Sequence, residues 1–230
     1  MDKHLTEHPT EGVVSLVLFF IARHYPVGPK RIRRLLKIMG RETLYRRKNL
    51  TKLGLQKFIK PYLLRGMEIT RSNQVWCTDI TYIPMRHGFM YLTAIIDVYS
   101  RKIVGWSISN TLSAQWCKDV LVEAISKYGK PEIVNTDQGT QYTCALWTQY
   151  LEQMEIKISM DGKGRALDNI WIERFWKSIK YNHIYLNPAD DVLELFDGVQ
   201  EHIAYYNDKT HQTTKQTPND RYLGSVKKAA

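Results

Sequence analysis

The chain has 230 residues, 43% of them apolar and 24% charged, with a formal net charge of +10. That length allows one large domain or a small and a medium one, and the composition is that of an ordinary globular protein. The three cysteines, Cys77, Cys117 and Cys144, form no C-x-x-C pair. They argue against a disulfide framework and a cysteine-built zinc site, and they fit a reducing, cytoplasmic setting.

Val13 to Ala22 is the one long apolar run. Its ten residues are too few to span a bilayer. Acids follow Met1-Asp2-Lys3-His4, and no small-residue cleavage site follows the run, so a signal peptide is not supported. The run reads as a buried helix, and no membrane partner is expected. His4 and His8 are four apart, but no cysteine pair follows them, which gives no support to a zinc-binding module.

Between Ile21 and Gly66 there are 14 Lys/Arg and a single acid, Glu42, so this segment carries +13 and the rest of the chain sums to −3. Such a basic block beside a near-neutral domain is the footprint of a nucleic-acid binder. The plain alternative is a solvated charged face. Gly28-Pro29 opens a helix and Gly40 ends it. Ile32, Leu35, Leu36 and Met39 mark its apolar side, leaving Lys30, Arg31, Arg33 and Arg34 for phosphates. Residues 41–66 are basic and poorly periodic and read as a linker in which Arg46, Arg47 and Lys48 can track DNA. Residues 1–50 are therefore expected to be a helical DNA-binding region and 51–72 a basic linker. A second, larger domain is expected over 73–225.

From Asn73 the pattern changes. Val75 to Ile83, Phe89 to Asp97 and Lys102 to Ser109 have strand composition and are separated by short turns, which predicts an antiparallel meander. Ser113 to Tyr128 is an amphipathic helix, Glu132 to Thr136 a short buried strand, Thr143 to Met154 a helix and Ile156 to Met160 another strand. Strand, helix, strand implies a parallel, right-handed crossover. Asp168 or Asn169 can cap a helix running to about Ile184, and a last helix covers roughly Val192 to Tyr206. The expected fold class is α/β. Its mixed five-stranded sheet, in RNase H-like order and flanked by helices, follows a small basic helical region.

Three carboxylates stand out by context. Asp79 is in the middle of the first strand among apolar neighbours, where an unpartnered charge is costly. Asp137 follows Ile133-Val134 at a strand's C-terminal end, where α/β sheets place ligands. Glu173 lies early in a helix whose Asn169, Lys177 and Lys180 share its face. Each has an ordinary alternative: a paired edge-strand Asp, a turn Asp, and an exposed Glu beside Lys177. The spacing of 35 residues between Asp137 and Glu173 recurs in Asp119 and Glu155. Those two, however, fall in a helix and a loop, so context selects the first pair. Three gathered carboxylates suit two Mg²⁺ ions, which favour oxygen ligands and can serve both the attacking and the leaving oxygen of an in-line displacement.

These residues resemble a known family. Gln74-Val75-Trp76-Cys77-Thr78-Asp79-Ile80-Thr81-Tyr82-Ile83 is similar to the first catalytic strand of bacterial insertion-element transposases of the orfB type, in the retroviral-integrase superfamily. Ile96 to Trp106 resembles their second hairpin. Asn135-Thr136-Asp137-Gln138-Gly139-Thr140-Gln141-Tyr142 is similar to the segment with their second aspartate, and Ile172-Glu173-Arg174-Phe175-Trp176-Lys177 to their glutamate helix. The resemblance implies an RNase H-like core, a DDE triad of Asp79, Asp137 and Glu173, and two Mg²⁺ or Mn²⁺ ions. It also implies DNA strand cleavage and transfer at element ends, a homo-oligomer on double-stranded DNA, and a partner from an upstream reading frame. A bacterial cytoplasmic, nucleoid-associated location goes with it. Lys163, Arg165, Lys177 and Lys180 are expected to join the DNA contacts. Residues 12–20 and Lys209-Thr210-His211-Gln212 depart from the family pattern. The rival readings are a nuclease of the same fold and a defective copy that binds ends without chemistry.

Overall fold

The computed structural model describes residues 1–8, 10–41, 58–162 and 169–229. The chain divides into two compact units, Met1–Lys52 and Leu53–Ala230.

In the first unit, helices α1 (Asp2–Glu7), α2 (Val13–Ile21) and α3 (Pro29–Ile38) enclose a small core of Leu5, Leu16, Ile32 and Leu36. Pro29 occupies the first turn of α3, where its missing N–H is not needed. Ile32 and Leu36 face inward, and Lys30, Arg31, Arg33 and Arg34 are exposed, as the periodicity requires. The expectation of a buried helix over the apolar run is corrected. Only Leu16 of α2 is fully buried, while Val14, Leu18 and Ile21 are 70%, 61% and 51% exposed. A core of four buried side chains accepts one stripe of a helix, not its whole circumference.

The second unit is built on one sheet in the order β3-β2-β1-β4-β5, comprising β1 (Val75–Pro84), β2 (Phe89–Asp97), β3 (Ile103–Ser109), β4 (Ile133–Thr136) and β5 (Lys157–Met160). β1, β2 and β3 pair antiparallel. β4 and β5 join in parallel after α4 (Ala114–Tyr128) and α5 (Ala145–Gln153). The expected mixed sheet is thus the observed one.

Alternation along β1 divides the core. Trp76 points to a cluster with α4 and α5, including Leu121, Trp147 and Leu151. Val75, Cys77 and Ile83 point to another, with Phe175, Trp176 and Ile179 of α6 (Ile170–Ile179) and Leu195, Val199 and Ile203 of α7 (Val192–Asp208). The helix expected to reach Ile184 is α-helical only to Ile179. One π-helical turn, Lys180–Ile184, completes it. A further helix, α8 (Pro218–Ala229), was not anticipated. It docks through the buried Tyr222, whose hydroxyl donates to Asn73 Oδ1 at 2.8 Å. Among the described residues no helix is long and apolar enough to cross a membrane.

Candidate active site

The parallel pairing of β1 with β4 ends at Cys77 opposite Asn135. Asp79 and Asp137 each stand two residues beyond that pair, Asp79 still within β1 opposite Ala94 of β2 and Asp137 just past the end of β4. Asp79 shares the face of Cys77, the side covered by α6, and is half-buried. The indole Nε1–H of Trp176, in α6, donates to Asp79 Oδ2 at 2.9 Å. Glu173 is in the first turn of α6, one turn before Trp176, and is exposed. One helix therefore carries the third carboxylate and also holds the first.

The charges of Asp137 and Glu173 both act on Asp79. Burial pushes the Asp79 carboxyl up to about 7, opposed by the Trp176 hydrogen bond and raised further by the charges of Asp137 and Glu173. Asp137 is also raised by burial, against the Gly139 N–H that reaches its Oδ1 at 2.9 Å. A Cβ on Gly139 would lie 2.9 Å from that oxygen, so the turn needs glycine's lack of a side chain. Lys180, two turns beyond Glu173, donates to Thr81 Oγ1 at 2.6 Å. Burial lowers its pKa, while Glu173 and Asp79 raise it. The end of β4 is braced by Asn135, which accepts from Ser159 Oγ at 2.7 Å and donates to Asp161 Oδ1 at 2.8 Å.

Three carboxylates are a hard-oxygen donor set suited to Mg²⁺ or Mn²⁺. The mutual repulsion recorded at Asp79 is a cost that a bound cation would remove. They are not drawn into a closed shell: among the described residues no group of three His, Cys, Asp or Glu stands ready to hold a metal ion. The donor chemistry fits, and the arrangement is open.

The other residues singled out in the sequence divide sharply. Lys177 is exposed on α6, and Lys180 reaches into the site. Lys30, Arg31, Arg33 and Arg34 line the exposed face of α3 in the first unit. Arg46, Arg47, Lys48, Lys163 and Arg165 lie outside the described residues. Asn169 is the N-cap residue of α6 but makes no side-chain capping bond. The rival pair is not at strand ends: Asp119 accepts from Gln115 within α4, and Glu155 pairs with Lys130. Trp176 was missed as a site residue. Its position three after Glu173 was the available signal, but an indole at helical spacing reads first as core.

Residues 69–166 match the family described as Integrase core domain, a span that includes Asp79 and Asp137 and stops before Glu173. The chain is 35% identical over 190 residues to the transposase for insertion sequence element IS904 of Lactococcus lactis, covering 78% of this chain and 74% of that protein. It is 32% identical to the putative transposase InsK for IS150 of Escherichia coli, over 64% of this chain and 53% of that one. With the transposase InsF for IS3A of the same species it is 38% identical, over 49% and 40%. The chain thus spans from less than half to about three quarters of these relatives' lengths. Among solved structures, the HTLV-2 integrase catalytic core domain in complex with magnesium superposes with a TM-score of 0.57 at 20% identity, covering 67% of this chain and 99% of that one. A simian T-cell lymphotropic virus intasome superposes with a TM-score of 0.60 at 15% identity, covering 92% and 74%. At such identities the structural likeness shows the fold.

Proposed function

The chain belongs to the insertion-element transposases with a retroviral-integrase-like core, and from that premise we propose that it cleaves element ends and joins them to target DNA. DNA transposition is the family's business; strand cleavage and transfer by this chain, and the residues that perform them, are our reading. The observation that carries it is the raised carboxyl of Asp79 on β1, on which the charges of Asp137, just past β4, and Glu173, on α6, also act.

In this reading the three carboxylates hold two divalent cations, Mg²⁺ or Mn²⁺. Bound there, the ions would supply charge neutralisation for the attacking and leaving oxygens of an in-line displacement at phosphorus. The chain's own residues do the rest. Trp176 fixes the rotamer of Asp79, Gly139 N–H fixes that of Asp137, and Lys180 places a cation beside the carboxylates, where a phosphate can approach. Lys177 is assigned a backbone contact next to the reacting bond. Lys163 and Arg165, in the segment before α6, are assigned the same kind of contact. Lys30, Arg31, Arg33 and Arg34, with Arg46, Arg47 and Lys48 after them, are assigned to phosphates of the duplex. Assembly as a homo-oligomer on DNA, with a partner from an upstream reading frame, belongs to the same proposal.

The test is strand cleavage and joining on donor duplexes bearing the element's terminal repeats, in Mg²⁺. Asp79→Asn, Asp137→Asn and Glu173→Gln are each expected to lose several orders of magnitude, without additivity when combined. Asp119→Asn and Glu155→Gln, with the same spacing in the wrong context, should be near normal. Near-normal joining by Asp137→Asn would overturn the assignment, and cleavage with no joining by the native chain would favour a nuclease.

A further inference from the structure

Away from the carboxylates, the second unit gathers a group of the opposite charge. Arg101 lies in the turn from β2 to β3, in a left-handed backbone conformation with φ +71°. Its Nη1–H donates to Val98 O, and its guanidinium stands 5.5 Å from the ring centroid of Trp171 in α6. Arg174 follows Trp171 by one helical turn and is exposed. From α8, Arg221 Nε–H donates to Tyr99 O at 2.9 Å, and its guanidinium lies 4.2 Å from the Tyr99 ring centroid. His211, between α7 and α8, completes the group. Its imidazole is pushed down by burial and then by Arg101, Arg174 and Arg221 together. Arg101 and Arg221 are thus both tied to the turn after β2, Arg174 lies one helical turn along α6 from the ring that Arg101 stands over, and the charges of all three act on His211.

Among the described residues no carboxylate lies within ion-pair distance of Arg101, Arg174, Arg221 or His211. Asp220 shares an open cleft with Arg221, but its carboxylate accepts from Thr217 Oγ1 at 2.8 Å. Like charges held together by backbone and aromatic contacts destabilise the fold until an anion offsets them. Planar guanidinium forks on separate elements suit the tetrahedral oxygens of a phosphate. The group also has a direction, since Arg174 adjoins Glu173 on α6.

We propose that Arg101, Arg174, Arg221 and His211 form a binding site for a backbone phosphate of DNA, gripping the strand that leads to Glu173. The proposal rests on the reading of the chain as a DNA-strand-transfer protein and adds to it an anchoring point that the motif residues do not contain.

The experiment measures binding of a fluorescent duplex to the full chain across a salt series, for the native protein, Arg174→Gln, Arg174→Gln/Arg221→Gln and Arg174→Lys/Arg221→Lys. The slope of log affinity against log salt should fall by about 0.9 for each phosphate no longer neutralised. The double glutamine variant should bind roughly tenfold more weakly at about 0.1 M salt, and the double lysine variant should keep the native slope. Lysine cannot reproduce the Arg221–Tyr99 bond, so a lysine pair as weak as the glutamine pair would make the role structural and overturn the proposal. If the glutamine pair fails to fold, Arg174→Gln decides alone, because Arg174 is exposed. An unchanged slope with native DNA binding intact would remove this site and leave the proposed function standing. No salt-dependent DNA binding by the native chain would remove both. Inorganic phosphate at constant ionic strength is the second probe. If it raises the native melting temperature but not that of the glutamine pair, while their DNA slopes are equal, the site belongs to a small anion and the proposal fails.

Discussion

Asp79, half-buried, and Asp97, fully buried, are carboxylates on paired strands, and they are treated differently by the fold. Asp97, fully buried at the end of β2, accepts from Ser100 N and Asn73 N at 2.8 Å each and from Ser100 Oγ at 2.6 Å. These donors oppose the upward push that burial gives its pKa. Among the described residues Asp79 has one side-chain donor, Trp176, beside the backbone N–H of Ile80, and two neighbouring carboxylates make its charge harder to keep. Burial does not separate a structural acid from a functional one. What separates them is whether the fold spends its donors on the carboxylate or leaves room for a ligand.

The comparison breaks if the two aspartates respond alike to loss of charge. Asp79→Asn should abolish joining yet keep or raise stability, whereas Asp97→Asn should unfold more easily. At Asp97 an amide turns one acceptor into a donor facing N–H groups, which costs about 1–3 kcal/mol. For a chain of this size that lowers the melting temperature by roughly 2–4 °C per kcal/mol. The sign at Asp79 follows from its pKa. Raised from 3.8 to about 7, it makes the folded, metal-free state bind more protons than the unfolded state between those values. Stability therefore falls as pH rises through that window, and the deficit persists above it. Asp79→Asn and the native chain should melt together near the lower end of the window, and the variant should melt higher above pH 7. Equal melting at pH 8 would show that Asp79 carries no such burden.

Trp176→Phe sharpens the comparison, because it removes the one side-chain donor that Asp79 has. Affinity for Mn²⁺, read by titration, should weaken by roughly 10-fold, the lower end of the range for loss of a supporting hydrogen bond. The apparent carboxylate pKa should also move upward, since the missing bond favoured the charged form. A drop in melting temperature with no change in either measurement would reduce Trp176 to packing. The smallest effect is expected in the first unit. Replacing Lys30, Arg31, Arg33 and Arg34 with Gln should flatten the salt slope of duplex binding by about 0.9 for each phosphate that α3 neutralises. Melting should change by little, because all four are exposed. An unchanged slope would exclude α3 from the interface.

The strands of the core were legible because each is a run of strand-forming residues bounded by a turn. Val75 to Ile83 alternates, and Phe89 to Asp97 is a near-continuous apolar run beside it, buried from Leu92 onward. Asp137 was legible because it sits where a short apolar strand stops. Three other features were not. The apolar run over Val13 to Ala22 gave the helix but not its burial, because composition does not say how small the core around it is. The bond from Trp176 to Asp79 spans 97 residues, and no local pattern encodes it. Arg221 joins Arg101, Arg174 and His211 only where α8 docks. Among the described residues of that helix only Pro218 and Tyr222 are buried, too short a stripe to announce it.

The docking of α8 also sets a timetable for biogenesis. Ser72 Oγ–H donates to Tyr222 O and Ser72 N–H to Ser225 Oγ, across 150 and 153 residues. The antiparallel hairpins of β1, β2 and β3 close over short loops and can form while the chain is still being made. At about 5–20 residues per second, roughly ten to thirty seconds separate the emergence of Ser72 from that of its helical partner. Through that interval the edge around Asn73 and Tyr128 lacks its cover, and the arginine group is incomplete until Arg221 emerges. A nascent copy therefore has its third carboxylate, Glu173, about 2–10 seconds before Arg221, the last arginine of that group, emerges 48 residues later.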